Sequence, residues 1–183
     1  MEIAPGSLAA DARAALVAWS PPSESQGLLR NELVAFIDSH DDAMWRACPH
    51  GHITASAIVV SHDRSRVLLT LHPKIGRWLQ MGGHCEPVDV SLREASMREA
   101  TEESGIADLT ISDGPIDIDI HALQCPKEFA NRHLDVRYLC IAPPNAVEAI
   151  SSESLDLRWF TRSELPDDVD ATTMRLIDLA LRA

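Results

Sequence analysis

The stretch from Ser91 to Gly105 constrains this chain most, because both of its ends are marked for a helix. Ser91 is a capping residue type, and Glu94 three positions on completes a capping box. Gly105 stands where a helix needs a left-handed residue to stop. At roughly 3.6 residues per turn, Glu99, Glu102 and Glu103 share one face of that helix. Like charges on one face repel. They also crowd the C-terminal half, where the helix dipole favours cations. A hard divalent cation held by carboxylate oxygens would offset that repulsion, and Mg²⁺ or Mn²⁺ suits such ligands. Taken alone, such a helix reads more plainly as a solvated acidic face. The neighbouring glycines and Arg98 ask for more than that.

The pattern on either side predicts the remaining elements. Residues 7–19 are alanine-rich and stop at Pro21-Pro22, which predicts a helix. Residues 23–39 repeat Leu28, Leu29, Leu33, Phe36 and Ile37 at helical spacing. A short helix and a turn are expected over 41–51. From Ile53 the period changes. The segments 53–60, 67–71, 116–122, 133–141 and 155–160 read as strands, and Trp78 to Met81 leads into Gly82-Gly83. A last helix covers about 171–182. Residues 1–50 are expected to be a helical N-terminal extension and 51–183 the main domain.

Size and charge narrow the function. A chain of 183 residues suits one compact domain with an appendage. A formal net charge of −12 does not suit a duplex nucleic-acid binder or docking on anionic membrane. It leaves room for a small anionic substrate, because a bound divalent cation reverses the local field. The four cysteines, Cys48, Cys85, Cys125 and Cys140, form no CxxC pair and read as reduced thiols. Met1 to Ala10 has no signal-peptide pattern, and no apolar run approaches a membrane span. A soluble cytoplasmic protein is expected.

The segment Gly83 to Ile106 resembles the Nudix box, G-x5-E-x7-R-E-U-x-E-E-x-G-U, where U is a bulky aliphatic residue. Arg98, Glu99, Glu102, Glu103 and Gly105 match the fixed positions of its second half, and Ile106 fits the last aliphatic one. Ala100 is small for its place. The first half matches only if one residue is inserted. Gly83 then leads to Asp89, which would stand in for the family's first glutamate, a mainly structural residue. The resemblance extends from about residue 52 to the end of the chain.

That resemblance implies an α/β fold, a Nudix-type α/β/α sandwich with a mixed curved sheet, here with an N-terminal helical extension. It implies metal-dependent hydrolysis of a phosphoanhydride bond in a nucleoside diphosphate linked to some group X. A nucleotide sugar such as ADP-ribose and a nucleoside triphosphate both fit. It implies that Glu99, Glu102, Glu103 and the Gly83 carbonyl hold Mg²⁺, with Mn²⁺ as a substitute. Glu99 or Glu102 would be the general base and Arg98 would orient Glu99.

Other residues are weaker candidates. His133, Asp135 and Arg137 alternate, as do Asp117, Asp119 and His121, so each trio points to one sheet face. His84, His133, Asp135 and Trp78 are candidate substrate contacts, set against plain structural roles. His72 sits near a strand end. Cys85 reads as inert, Trp159 as core, and Glu128 and Glu153 as remote possibilities for ligands or bases. The extension can cap the fold, build a homodimer contact or shape the pocket. Two other functions stay open. One is a non-catalytic Nudix-like nucleotide sensor, suggested by the altered first half of the box. The other is a histidine-rich transition-metal binder, which would want spacing such as HxxxH; that spacing is absent.

Overall fold

The β-branched run after Gly51 becomes the strand on which the molecule is assembled. This strand, His52–Val60 (β1), is buried along all nine residues. Exposure therefore does not alternate along it, but chemistry does. Ile53, Ala55, Ala57 and Val59 face one side, while His52, Thr54, Ser56, Ile58 and Val60 face the other. The computed structural model describes residues 7–122, 132–152 and 154–183.

Strand Arg132–Ile141 (β7) runs parallel to β1 from His52↔His133 to Val60↔Ile141. On its other edge β1 pairs antiparallel with Met81–His84 (β4) and, further along, with Arg66–Leu71 (β2). Trp78–Leu79 (β3) and Asp156–Thr161 (β8) pair with β2. Thr110–Ile111 (β5) and Asp117–Ala122 (β6) pair with β7. Among the described residues the result is one mixed, eight-stranded sheet.

Helices cover both faces, giving the expected α/β/α sandwich. Leu8–Ala18 (α1), Glu24–Ser39 (α2) and Leu92–Ser104 (α3) lie on the face of Ile53 and Ala55. There Leu16, Leu33, Phe36, Ile37, Leu92, Ala95 and Ala100 form one buried cluster with Leu134, Val136 and Tyr138. Ala171–Ala180 (α4) packs Leu176, Ile177 and Ala180 on Ile58, Val60, Leu69 and Leu139 of the opposite face. Each helix starts at a residue whose side chain accepts a first-turn N–H: Ser7, Ser23, Ser91 and Asp170.

The extension is stitched into the domain as well as packed on it. The Gln26 amide donates to the Ile118 carbonyl at 2.9 Å and accepts the Ile118 N–H at 2.8 Å, both buried. In that way it acts like one residue of an extra strand beside β6. Asp11 of α1 accepts the N–H of Leu92, the first residue of α3, at 3.0 Å.

Three sequence expectations change. Residues 41–50 form successive turns closed by Ala43→His40, Trp45→Asp42 and Cys48→Trp45 bonds, not a helix. Asp41, Asp42 and Pro49 favour such turns. Leu28 leaves the apolar stripe and is 66 % exposed, because it lies five residues from Leu33 and so off its face. β5 was not expected; its two residues are too few to carry a period.

Candidate active site

Two glycines let β4 slot between β1 and α3. A Cβ on Gly82 would lie 2.3 Å from the Cβ of Ser56, and one on Gly83 2.8 Å from Oε1 of Glu99. Gly83 pairs with Ala55 and so faces α3. The Gly82 N–H donates to Oε2 of Glu103 at 3.2 Å. At the other end of α3, Gly105 has a φ of 66°, the left-handed value its place required.

Arg98 ties this corner together. Its Nε and Nη2 donate to the two oxygens of Asp89 at 3.1 and 3.0 Å. Nη1 donates to Glu99 at 2.9 Å and to Glu102 at 3.3 Å, and Nη2 also reaches the His84 carbonyl at 3.0 Å. The fork with Asp89, with Glu99 added, raises the guanidinium pKa. Asp89 also accepts the Glu86 N–H at 2.7 Å, which closes the lengthened loop. Burial pushes the Asp89 carboxyl up, but Arg98 and the Glu86 N–H more than offset it and leave the pKa lowered. Val90, the residue that strict counting sets in the first glutamate's place, is 63 % exposed.

The three glutamates therefore sit at one corner in different settings. Glu99 lies against Gly83 and Arg98. Glu103 reaches the β4 backbone. The Glu102 side chain is 60 % exposed and only grazes Arg98. The donors are all hard oxygens at a gap that a Cβ would fill, which fits a divalent cation of the magnesium type.

The alternating trios lie across the sheet from α3. Asp135, fully buried, accepts from Thr54 at 3.0 Å, Ser56 at 2.8 Å and Arg137 at 2.8 Å. Arg137 also pairs with Asp117 and Asp119, and Arg175 of α4 forks onto Asp117. Burial opposes the Asp135 charge, yet Arg137 holds its pKa below the usual range. Gln80 reaches Asp135 at 3.3 Å. In this layer every carboxylate has an arginine partner.

Next to it, His52, His84 and His133 gather. Their ring centroids lie 4.7 to 5.2 Å apart. Burial lowers the pKa of His84 to about 4 and that of His133 to about 3. His121, 5.4 Å from His133, shifts the other way because Asp119 bonds its ring at 3.0 Å. His84 pairs with Thr54, so it faces away from Gly83 and from the α3 glutamates.

The remaining candidates lie elsewhere on the molecule. Trp78 packs edge-on against Phe160 at 4.9 Å, with Arg158 over its ring. Trp159 is half-buried and donates to Glu148 at 2.9 Å. His72 accepts the N–H groups of Lys74 and Ile75, closing a turn. Burial raises the Cys85 thiol to about 12, so it is inert. Glu128, Glu153 and Cys125 lie outside the described residues. Sequence reasoning passed over His52, whose place is set only by its pairing with His133. Among the described residues no helix is long and apolar enough to cross a membrane.

The glycine-backed corner and the sandwich around it agree with a family model, the NUDIX domain, which matches residues 51–179. The chain belongs to the Nudix hydrolase family. No curated protein matches it. Among solved structures, a Nudix-family hydrolase from Clostridium perfringens is 24 % identical with a TM-score of 0.55, covering 72 % of this chain and 94 % of that one. The NUDIX domain of Shewanella oneidensis NrtR, complexed with ADP ribose, is 19 % identical with a TM-score of 0.57, covering 81 % and 96 %. The E. coli dihydroneopterin triphosphate pyrophosphohydrolase is 17 % identical with a TM-score of 0.54, covering 72 % and 96 %. These likenesses concern the fold. The Nudix match starts at residue 51, so α1 and α2 both lie outside it and bury their apolar faces on the matched region.

Proposed function

We propose that the protein hydrolyses a phosphoanhydride bond in a small nucleotide-like compound, a nucleoside diphosphate linked to a further group. A nucleotide sugar of the ADP-ribose type and a nucleoside triphosphate are the two substrate classes to test. The observation that carries this reading is the corner where Glu99 lies against Gly83 and Arg98 while Glu102 stays open to solvent.

Glu99, Glu102, Glu103 and the Gly83 carbonyl would hold Mg²⁺, or Mn²⁺ in its place. When bound, the cation supplies charge neutralisation to the phosphate oxygens as the bond breaks. The protein does the rest. Arg98 keeps Glu99 aimed at Gly83 through a charge-assisted hydrogen bond. Glu102, 60 % exposed, is the better placed of the two candidate bases to meet an attacking water and take its proton. The water oxygen bonds to phosphorus, the bridging P–O bond breaks, and the departing phosphate keeps that oxygen. The sensor reading rested on the altered first half of the box. The lengthened loop still returns Asp89 to Arg98, which removes its main support.

The test is product release from a panel of nucleotides and nucleotide sugars with Mg²⁺, with Mn²⁺ and with chelator. Cleavage of at least one member is expected, lost with chelator and lost by at least about a hundredfold in Glu102→Gln. Tight binding without cleavage would replace the hydrolase by the sensor. Full activity in the variant would remove Glu102 from the mechanism.

A further inference from the structure

Strand pairing brings together three histidines that are 32 and 49 residues apart in the sequence, at 52, 84 and 133. One ring nitrogen from each lies within 4.8 Å of the other two, and His52 is buried. Nε2 of His84 and Nε2 of His133 are buried with no hydrogen-bond partner among the described residues. A buried polar nitrogen left so is costly, and tilted or edge-on ring contacts alone do not repay it. A metal ion would.

We propose that His52, His84 and His133 form a binding site for a divalent transition-metal ion, Zn²⁺ in the first instance, separate from the carboxylate corner of α3. Three imidazoles are borderline-soft ligands, which suit zinc and its neighbours and not magnesium. The Zn–N distance of about 2.0–2.1 Å asks the rings to close by on the order of an ångström, within reach of side-chain rotation. Imidazole binds metal only when neutral, and burial keeps His133 in that state. The site is distinct from the box because β4 alternates. Gly83 faces Glu99 on the α3 side, while His84 faces His52 and His133 on the other. A bound ion would clamp β1, β4 and β7 at one end of the sheet. The proposal does not depend on the hydrolase reading.

The experiment uses tag-free protein stripped with chelator and then titrated with Zn²⁺ against a chromophoric chelator in excess Mg²⁺. One Zn²⁺ per chain and a rise in Tm on loading are expected. His84→Asn and His133→Asn, the two less buried positions, should each weaken binding by more than the roughly 10–100-fold typical of losing a ligand's supporting partner. Glu99→Gln and Glu102→Gln should leave Zn²⁺ affinity unchanged. Wild-type protein loaded with Co²⁺ gives a readout that needs no variant. Intense visible absorption is expected from a nitrogen-rich site of low coordination number, against the faint spectrum of a six-coordinate oxygen site. Failure of the wild type to compete for Zn²⁺ overturns the site. So does equal affinity in both histidine variants, or a faint cobalt spectrum at full loading.

Discussion

Arg98 holds Asp89, Glu99 and Glu102 together with the His84 carbonyl, so its effect depends on each partner. Asp89 matters most among them, because it is nearly buried and also accepts the Glu86 N–H. Asp89→Ala leaves both donors short and frees the loop that begins the box. A loss of about 1–3 kcal/mol in stability is expected, between the values for exposed and fully buried ion pairs. Urea unfolding measures it, and an unchanged midpoint would mean that water replaces the carboxylate at no cost. The same pair ties the loop, one residue longer than the pattern, back to α3. Aspartate on the longer loop reaches Arg98 through both of its oxygens.

At the scale of elements, α3 is positioned from three directions. Ala95 and Ala100 seat it on the sheet, Gly82 and Gly83 bring β4 close along its glutamate face, and Asp11 of α1 accepts its first N–H. The last contact joins the extension to the helix that carries the chemistry. A carboxylate at a helix N-terminus both satisfies a donor and complements the dipole. Asp11→Ala should cost about 0.5–2 kcal/mol, with hydrogen-exchange protection falling first at residues 92–95. Unchanged protection there would show that Ser91 alone caps α3. Gln26 does the same kind of work for β6, offering its amide where a neighbouring strand would offer backbone.

At the scale of the whole molecule, one sheet separates an apolar side from a side that is half polar. The polar half has a consequence for acid stability. In metal-free protein, burial lowers the pKa values of His84 and His133 from 6.5 to about 4 and about 3. Between those limits the unfolded chain binds protons that the folded chain refuses, so stability rises with pH across that window and falls on acidification below about 6.5. Two such groups set an upper slope of about 2.7 kcal/mol per pH unit. His121 works in the opposite sense. Its raised pKa gives stability that is present at low pH and lost as pH rises through the folded value. Denaturant midpoints taken from pH 7.5 to 4.5 should therefore drop on the acid side, and less so in a His84→Asn/His133→Asn double variant. A flat profile would show that these rings take up protons within the fold.

Sequence alone carried the parts of this protein that local physics decides. Capping by Ser91, termination by Gly105 and the shared face of Glu99, Glu102 and Glu103 follow from neighbours a few residues apart, and so do the long strands and, among the described residues, the limits of all four helices to within two residues. It failed where the pattern was too short, at β5, and where turn chemistry outweighed helical propensity, over 41–50. Tertiary structure alone decided which faces meet. Asp135 and His133 share a face when read along β7, and only pairing with β1 shows that this face is the one away from α3. The histidine trio has no spacing to betray it, because its members come from three strands and are joined only by register. Periodicity reports which residues share a face of one element, and only the packing of elements reports what that face sees.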